Sequence, residues 1–100
     1  MSKSMTDLIG RPAMYELLAE ECCELAQASL KMARILRKEN PTPKTVEEVY
    51  SNLVEERTDV ELCIQELGIE HDPDLQEYKE KRFYQRYEDF KGVIGKEDAQ

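Results

Sequence analysis

The sequence predicts an all-α chain, a helical bundle of three to four helices completed by self-association, on three observations. Apolar residues make up 40% and charged residues 36%, with four Gly, four Pro and no Trp, which is the composition of a charged helical protein rather than of a β-sandwich or a disordered tail. Apolar residues recur at helical spacing through three segments. The 100 residues fit one domain, 1–100, yet a chain this short buries a modest share of its surface, so a second copy is expected to complete the core.

The first of the three segments starts near Pro12, a residue suited to an opening helical turn, and runs from Ala13 to about Lys38 with Met14, Leu17, Leu18, Cys22, Leu25, Met32 and Leu36 at helical spacing. Pro41 and Pro43 then remove donors and restrict the residues before them, so 39–44 reads as a loop. Thr45 followed by Glu48 is a capping-box signature, opening a second helix that carries Val46, Val49, Tyr50, Leu53, Val60, Ile64 and Leu67 and ends at Gly68. Asp72 and Pro73 read as the N-cap and first residue of a third helix, which holds Leu75, Tyr78, Phe83, Tyr87 and Phe90 and extends to about Lys91, with frayed residues from Gly95 onward. Residues 1–10 hold a short helical turn or nothing ordered.

Charge and cysteine content narrow the functions open to the chain. The excess of 22 Asp and Glu over 14 Lys and Arg, a net charge of -8, argues against a nucleic-acid polymer as partner, and any anionic substrate needs local cations. Cys22, Cys23 and Cys63 form no CxxC and there is a single His, so neither a disulfide framework nor a zinc site is indicated; reduced, buried thiols are expected. The opening MSKSMTD is polar and no apolar run reaches the roughly 20 residues of a membrane span, so a soluble, cytoplasmic protein with no membrane partner is expected.

The chemistry lies in acids placed where a structural helix puts apolar residues. At about 100° per residue, Leu18, Leu25, Met32 and Leu36 mark the middle of the first helix's apolar stripe. Glu21 falls inside it and Glu24 at its edge, while Glu20 points away. On the second helix, Leu53, Val60 and Ile64 mark the stripe; Glu56 falls inside it, Asp59 at its edge, and Glu55 points away. The octapeptides from Leu18 to Leu25 and from Leu53 to Val60 are matched at an offset of 35 residues, with acids at the same three positions. An unpaired carboxylate in an apolar stripe needs a cation, a proton or a metal. Acids three residues apart lie about one turn apart, and two such pairs on facing helices make a four-carboxylate cage of Glu21, Glu24, Glu56 and Asp59. Oxygen ligands alone select Mg²⁺ or Mn²⁺. The competing explanation is the solvated face of an acid-rich helix, which the matched intrusion on two helices makes the weaker one.

Glu21-x-x-Glu24 and Glu56-x-x-Asp59, each preceded by another Glu and set on apolar helices joined by a loop, resemble the MazG-type all-α nucleoside triphosphate pyrophosphohydrolases. The resemblance covers residues 14–67, and the third helix extends it to about residue 90. It implies Mg²⁺-dependent (or Mn²⁺-dependent) hydrolysis of a ribo- or deoxyribonucleoside triphosphate to the monophosphate and pyrophosphate, by a homodimer or homotetramer. The four acids of the cage would be the metal ligands, and Glu20 or Glu55 would orient ligands or accept a proton. Lys79, Arg82 and Arg86, in one row at i, i+3 and i+7, match the positions that hold substrate phosphates; otherwise they are a solvated row paired with Glu77, Glu80 and Glu88. Phe83, Tyr87 and Phe90 flank that row as core or interface residues rather than as a platform for a base. Two functions of other classes share these residues: a non-catalytic metal-binding helical regulator, and a protein-interaction module with an acidic face.

Overall fold

The computed structural model describes residues 4–39 and 43–98, with side chains as far as residue 93. The chain is all-α: α1 spans Met5–Ile9, α2 Arg11–Leu36, α3 Val46–Leu67 and α4 Pro73–Asp98, with no strand among the described residues. It divides into two compact units, Met1–Ile69 and Glu70–Gln100. In the described residues no helix is long and apolar enough to cross a membrane.

The caps set the helix ends. Gly10 precedes α2, with Pro12 in its opening turn. Thr45 closes the start of α3 by accepting the Glu48 N–H at 3.1 Å, and its hydroxyl donates to the Glu48 carboxylate at 3.3 Å. Both long helices of the first unit end in the same pair of reversed bonds. At α3 the Gly68 N–H reaches the Gln65 carbonyl and the Ile69 N–H the Ile64 carbonyl. At α2 the Lys38 N–H reaches Ile35 and the Glu39 N–H reaches Arg34. This closure needs one left-handed residue, which is Gly68 at φ 67° in α3 but Lys38 at φ 61° in α2. A side chain in that region is strained by about 1–2 kcal/mol, partly offset by glycine's larger unfolded-state entropy. Lys38→Gly is therefore expected to stabilise the chain by up to about 1 kcal/mol, read as a raised denaturant midpoint at unchanged slope; a lowered midpoint would contradict it. Residues 40–42 of the expected loop lie outside the described residues.

α2 and α3 pack as an antiparallel hairpin, with Met14 beside Cys63 and Glu21 beside Asp59 along one groove. The buried seam is not the line the apolar pattern suggested. Among the described residues Met14, Ala28, Val49 and Cys63 are the buried apolar ones, whereas Leu36 is 61% exposed. Met14, Glu21 and Ala28 stand seven residues apart on α2, and Val49, Glu56 and Cys63 stand seven apart on α3. Seven residues are close to two turns, so each trio forms one line along its helix. The seam is thus turned about 40° from the Leu18, Leu25, Met32 and Leu36 line, and it puts a glutamate at the centre of each helix's contact surface. Each residue of the first trio lies 35 before its counterpart in the second, so the sequence repeat is carried into the packing.

The structure departs from expectation at the cysteines and at the end of α4. Cys22 and Cys23 are exposed, and only Cys63 is buried, because the seam runs along the other edge of the stripe. α4 does not stop near Lys91 but continues through Gly92 to Asp98. Asp72 starts it, accepting the Leu75 N–H at 3.0 Å. Every described side chain on α4 is exposed, including Phe83, Tyr87 and Phe90, which therefore form no core in the unit they belong to.

Candidate metal centre

The lines that bury Met14, Ala28, Val49 and Cys63 carry Glu21 and Glu56 into the hairpin from opposite sides, both half-buried. Glu24, one turn along from Glu21, joins them: Glu21, Glu24 and Glu56 each offer a carboxylate oxygen within 4.8 Å of the other two. Oε2 of Glu21 and Oε2 of Glu56 are shielded from solvent and have no hydrogen-bond partner. Such atoms are costly to leave unmatched.

The electrostatics point the same way. Burial first, then the charges of Glu24 and Asp59, push the Glu21 carboxyl above its ordinary value. Burial also leads at Glu56, followed by Glu24, which can share a proton with it, then by Asp59 and Glu55. A carboxylate meets another carboxylate in a hydrogen bond only when one of them is protonated, so the shift and the unpartnered oxygens are two faces of one crowding. Every charged neighbour that moves these two groups is itself an acid. The ion pairs among the described residues, Arg57–Glu61 at 3.1 Å and Lys81–Glu77 at 3.3 Å, do not involve the cluster. Cys63 lies within its reach: burial, then Glu21 and Asp59, push its thiol up.

Of the expected ligands, Glu21, Glu24 and Glu56 form the close group. Asp59 is exposed and stands outside that spacing, though it lines the same groove as Glu21 and acts on both buried acids. Glu20 and Glu55 are exposed; Glu55 is felt at Glu56. Lys79, Arg82 and Arg86 are exposed on α4. The pairing of this row with its neighbouring acids is not seen: Glu77 goes to Lys81, Glu80 accepts from Gln76, and the Arg82 guanidinium lies over the Tyr78 ring at 5.8 Å.

One residue escaped the sequence pattern. Glu66 accepts the Thr6 N–H at 2.8 Å, and its own carbonyl accepts the Thr6 hydroxyl at 3.4 Å, fastening α1 to α3. Its place seven residues after Asp59, on the same line of α3, was the available signal. The Thr6 N–H in particular holds the Glu66 carboxyl below its ordinary value.

Three carboxylate oxygens at this spacing, with no nitrogen or sulfur donor among them, suit a hard divalent cation. No protein-family model matches the chain, and neither does a curated protein or a solved structure.

A pH dependence follows for the chain without divalent ions. Glu21 and Glu56 hold protons in the folded state at pH values where the unfolded chain has released them. The stability they contribute is present below the unfolded value of 4.5 and lost as pH rises through their higher folded values. Glu66, shifted down, has the opposite sign: its contribution is present above 4.5 and lost as pH falls through its folded value. In EDTA, Glu21→Gln should therefore raise the melting temperature at pH 7, and do so less at pH 5, where the wild-type acid has begun to take up its proton. A variant that melts lower than wild type at pH 7 without metal would contradict the crowding.

Proposed function

We propose that the chain is a Mg²⁺- or Mn²⁺-dependent nucleoside triphosphate pyrophosphohydrolase of the MazG type, releasing the monophosphate and pyrophosphate. The observation that carries the proposal is the trio of carboxylates within 4.8 Å of one another, two of them with shielded and unpartnered oxygens, at the centre of a matched helical hairpin. Such placement deprives Glu21 and Glu56 of part of their solvation, and a bound cation would offset that loss. The matched motifs Glu21-x-x-Glu24 and Glu56-x-x-Asp59 add the resemblance on which the choice of reaction rests.

In this reading Glu21, Glu24 and Glu56 hold the cation, with Asp59 completing the set. A bound divalent ion supplies charge neutralisation of the polyphosphate and a water of lowered pKa for attack on phosphorus. Glu20 and Glu55, one residue before the central acids, orient ligands or take up a proton. Lys79, Arg82 and Arg86 hold the phosphates that do not react and the departing pyrophosphate. The row's freedom from ion pairs among the described residues, and the seating of Arg82 on Tyr78, support that role.

The protein acts as a cytoplasmic homodimer or homotetramer. Support comes from the small core, confined to Met14, Ala28, Val49 and Cys63 among the described residues, and from Leu8, Leu36, Tyr50, Leu62, Phe83 and Phe90, each more than half exposed.

The test is a panel of ribo- and deoxyribonucleoside triphosphates incubated with Mg²⁺ or Mn²⁺, with monophosphate, diphosphate and pyrophosphate separated. Monophosphate with equimolar pyrophosphate is expected from at least one member. Diphosphate with inorganic phosphate would indicate a different bond, and no turnover by a chain that binds the cation would leave a metal-binding regulator.

A further inference from the structure

α1 has little of its own to keep it in place. It is five residues long, far below the roughly 12–15 that make an isolated helix even marginal in water, and none of its residues is buried. Leu8 is 66% exposed and Met5 48%. A capping box between Ser4 and Asp7 closes its N-terminus, with the Asp7 N–H donating to the Ser4 hydroxyl at 3.1 Å and the Ser4 N–H to the Asp7 carboxylate at 3.3 Å. Among the described residues its side-chain and backbone bonds to the rest of the first unit converge on one residue: the Thr6 N–H and hydroxyl both go to Glu66.

A single residue, Gly10, joins α1 to α2. Its φ of 88° and ψ of 154° fall in a region that residues with a side chain scarcely enter. Glycine there lets the junction change direction without the steric clash of a side chain; its N–H is bonded to the Thr6 carbonyl and its carbonyl accepts the Met14 N–H.

Beside α1 lies an open groove of about 290 Å³ whose lining includes Met5 from α1, Met14 and Glu21 from α2, and Asp59, Cys63 and the latch residue Glu66 from α3. Met5 is α1's contribution to that lining. The groove is largely apolar, ends on two carboxylates of the candidate metal centre, and contains the one buried thiol.

We propose that α1 is a hinged lid: it turns about Gly10, is latched by Glu66, and in its closed position shields Met14 and Cys63 at the inner end of the groove that leads to Glu21. Opening breaks the two Thr6 contacts and lifts Met5 away, while the Met14, Ala28, Val49 and Cys63 seam between α2 and α3 stays packed. Because so little apolar surface is given up, this opening takes far less free energy than separating the hairpin. The lid controls access to Cys63 and to the Glu21 side of the groove, whereas Asp59 is exposed with the lid closed; only its bearing on turnover rests on the proposed hydrolysis.

The experiment follows Cys63 and the backbone amides together. In the full chain carrying Cys22→Ser and Cys23→Ser, Cys63 is the remaining thiol, and its labelling by iodoacetamide is measured alongside hydrogen exchange. The reporter on the lid is the amide of Thr6, bonded to Glu66 in the closed form. The reporters on the hairpin are the central amides of α2 and α3. The lid and Cys63 are expected to share one opening, at least ten-fold more frequent than that of the hairpin amides and insensitive to low denaturant. Glu66→Ala, which removes a charge-assisted acceptor, should speed Cys63 labelling by roughly ten-fold or more while hairpin exchange changes much less. Glu66→Gln, which keeps an acceptor without the charge, should fall between. Should Glu66→Ala unfold, the wild-type comparison decides by itself. Cys63 labelling that tracks hairpin exchange, in wild type or in a variant that speeds both equally, would overturn the lid. A chain that opens in this way yet hydrolyses no triphosphate keeps the lid and loses the proposed activity.

Discussion

Changing Glu56 to Gln is expected to abolish the rise in melting temperature that Mg²⁺ or Mn²⁺ gives the wild-type chain, and hydrolysis with it. Without metal the three carboxylates crowd within 4.8 Å of one another, and burial together with mutual repulsion keeps Glu21 and Glu56 inclined to hold protons. A cation that binds only the folded form replaces repulsion by attraction. Its stabilisation grows as RT ln(1 + [L]/Kd), about 2.7 kcal/mol when the ion stands at 100 times its Kd. For a chain of this size that is on the order of 10 °C or more. Gln at position 56 keeps the shape and removes the donor charge from the middle of the seam, so the metal-dependent shift should vanish while the metal-free variant melts at or above wild type. Loss of groups that merely orient metal ligands costs ~10- to 100-fold in affinity or activity, and loss of a ligand itself should cost at least as much. Asp59→Asn, outside the close trio, should weaken the shift rather than remove it. An equal shift in wild type and Glu56→Gln would place the cation elsewhere.

Arg82→Ala is expected to lower kcat/KM for triphosphate hydrolysis by roughly ten-fold or more and to leave the metal-dependent melting shift intact. A charge-assisted contact to phosphate is typically worth ~1.5 to 3 kcal/mol, and each 1.36 kcal/mol of transition-state stabilisation is about ten-fold in rate. Arg82 pairs with no carboxylate among the described residues and lies over Tyr78, so it is held without being neutralised. Arg82→Lys should restore part of the loss, since an ammonium keeps the charge but not the planar fork that grips two oxygens. A change in KM alone would indicate contact in the ground state and transition state alike, while equal falls in kcat and kcat/KM would indicate contact made in the transition state. Wild-type kcat/KM in the Ala variant would return the row to a solvated face.

What could be read from the chain, and what could not, divides along physical lines. α2 and α3 were legible because their periods are long and their ends are marked by Pro12, Thr45 and Gly68. Glu21, Glu24 and Glu56 were legible because an acid in an apolar stripe conflicts with burial, and the conflict recurs 35 residues later. The seam itself was not: the stripe is broad, and which of its edges turns inward depends on the facing helix. Met14 to Ala28 and Val49 to Cys63, rather than the larger leucines, lie innermost. That choice drew the two glutamates closer to the centre than the wheel suggested, and it left Cys22 and Cys23 outside. The docking of α1 rests on Thr6 and Glu66, 60 residues apart, a contact no local pattern encodes. Lys38 was unreadable for the opposite reason: nothing in a lysine announces a left-handed backbone, and only the bonds to Ile35 and Arg34 reveal it. On α4 the last apolar residue of the pattern, Phe90, set the expected end near Lys91. The helix passes through Gly92 and Gly95, each costing ~1 kcal/mol in a helix interior, and runs to Asp98.

The most direct measurement of the central claim, that Glu21, Glu24 and Glu56 with Asp59 hold a divalent cation, is a Mn²⁺ titration followed by the electron paramagnetic resonance of the free ion. Wild-type chain should quench the free Mn²⁺ signal saturably, Mg²⁺ should compete the ion back into solution, and the Glu21→Gln/Glu56→Gln double variant should leave the signal undiminished with its helices intact. An undiminished signal with the wild-type chain at millimolar Mn²⁺, or equal quenching by the double variant, would contradict the metal centre.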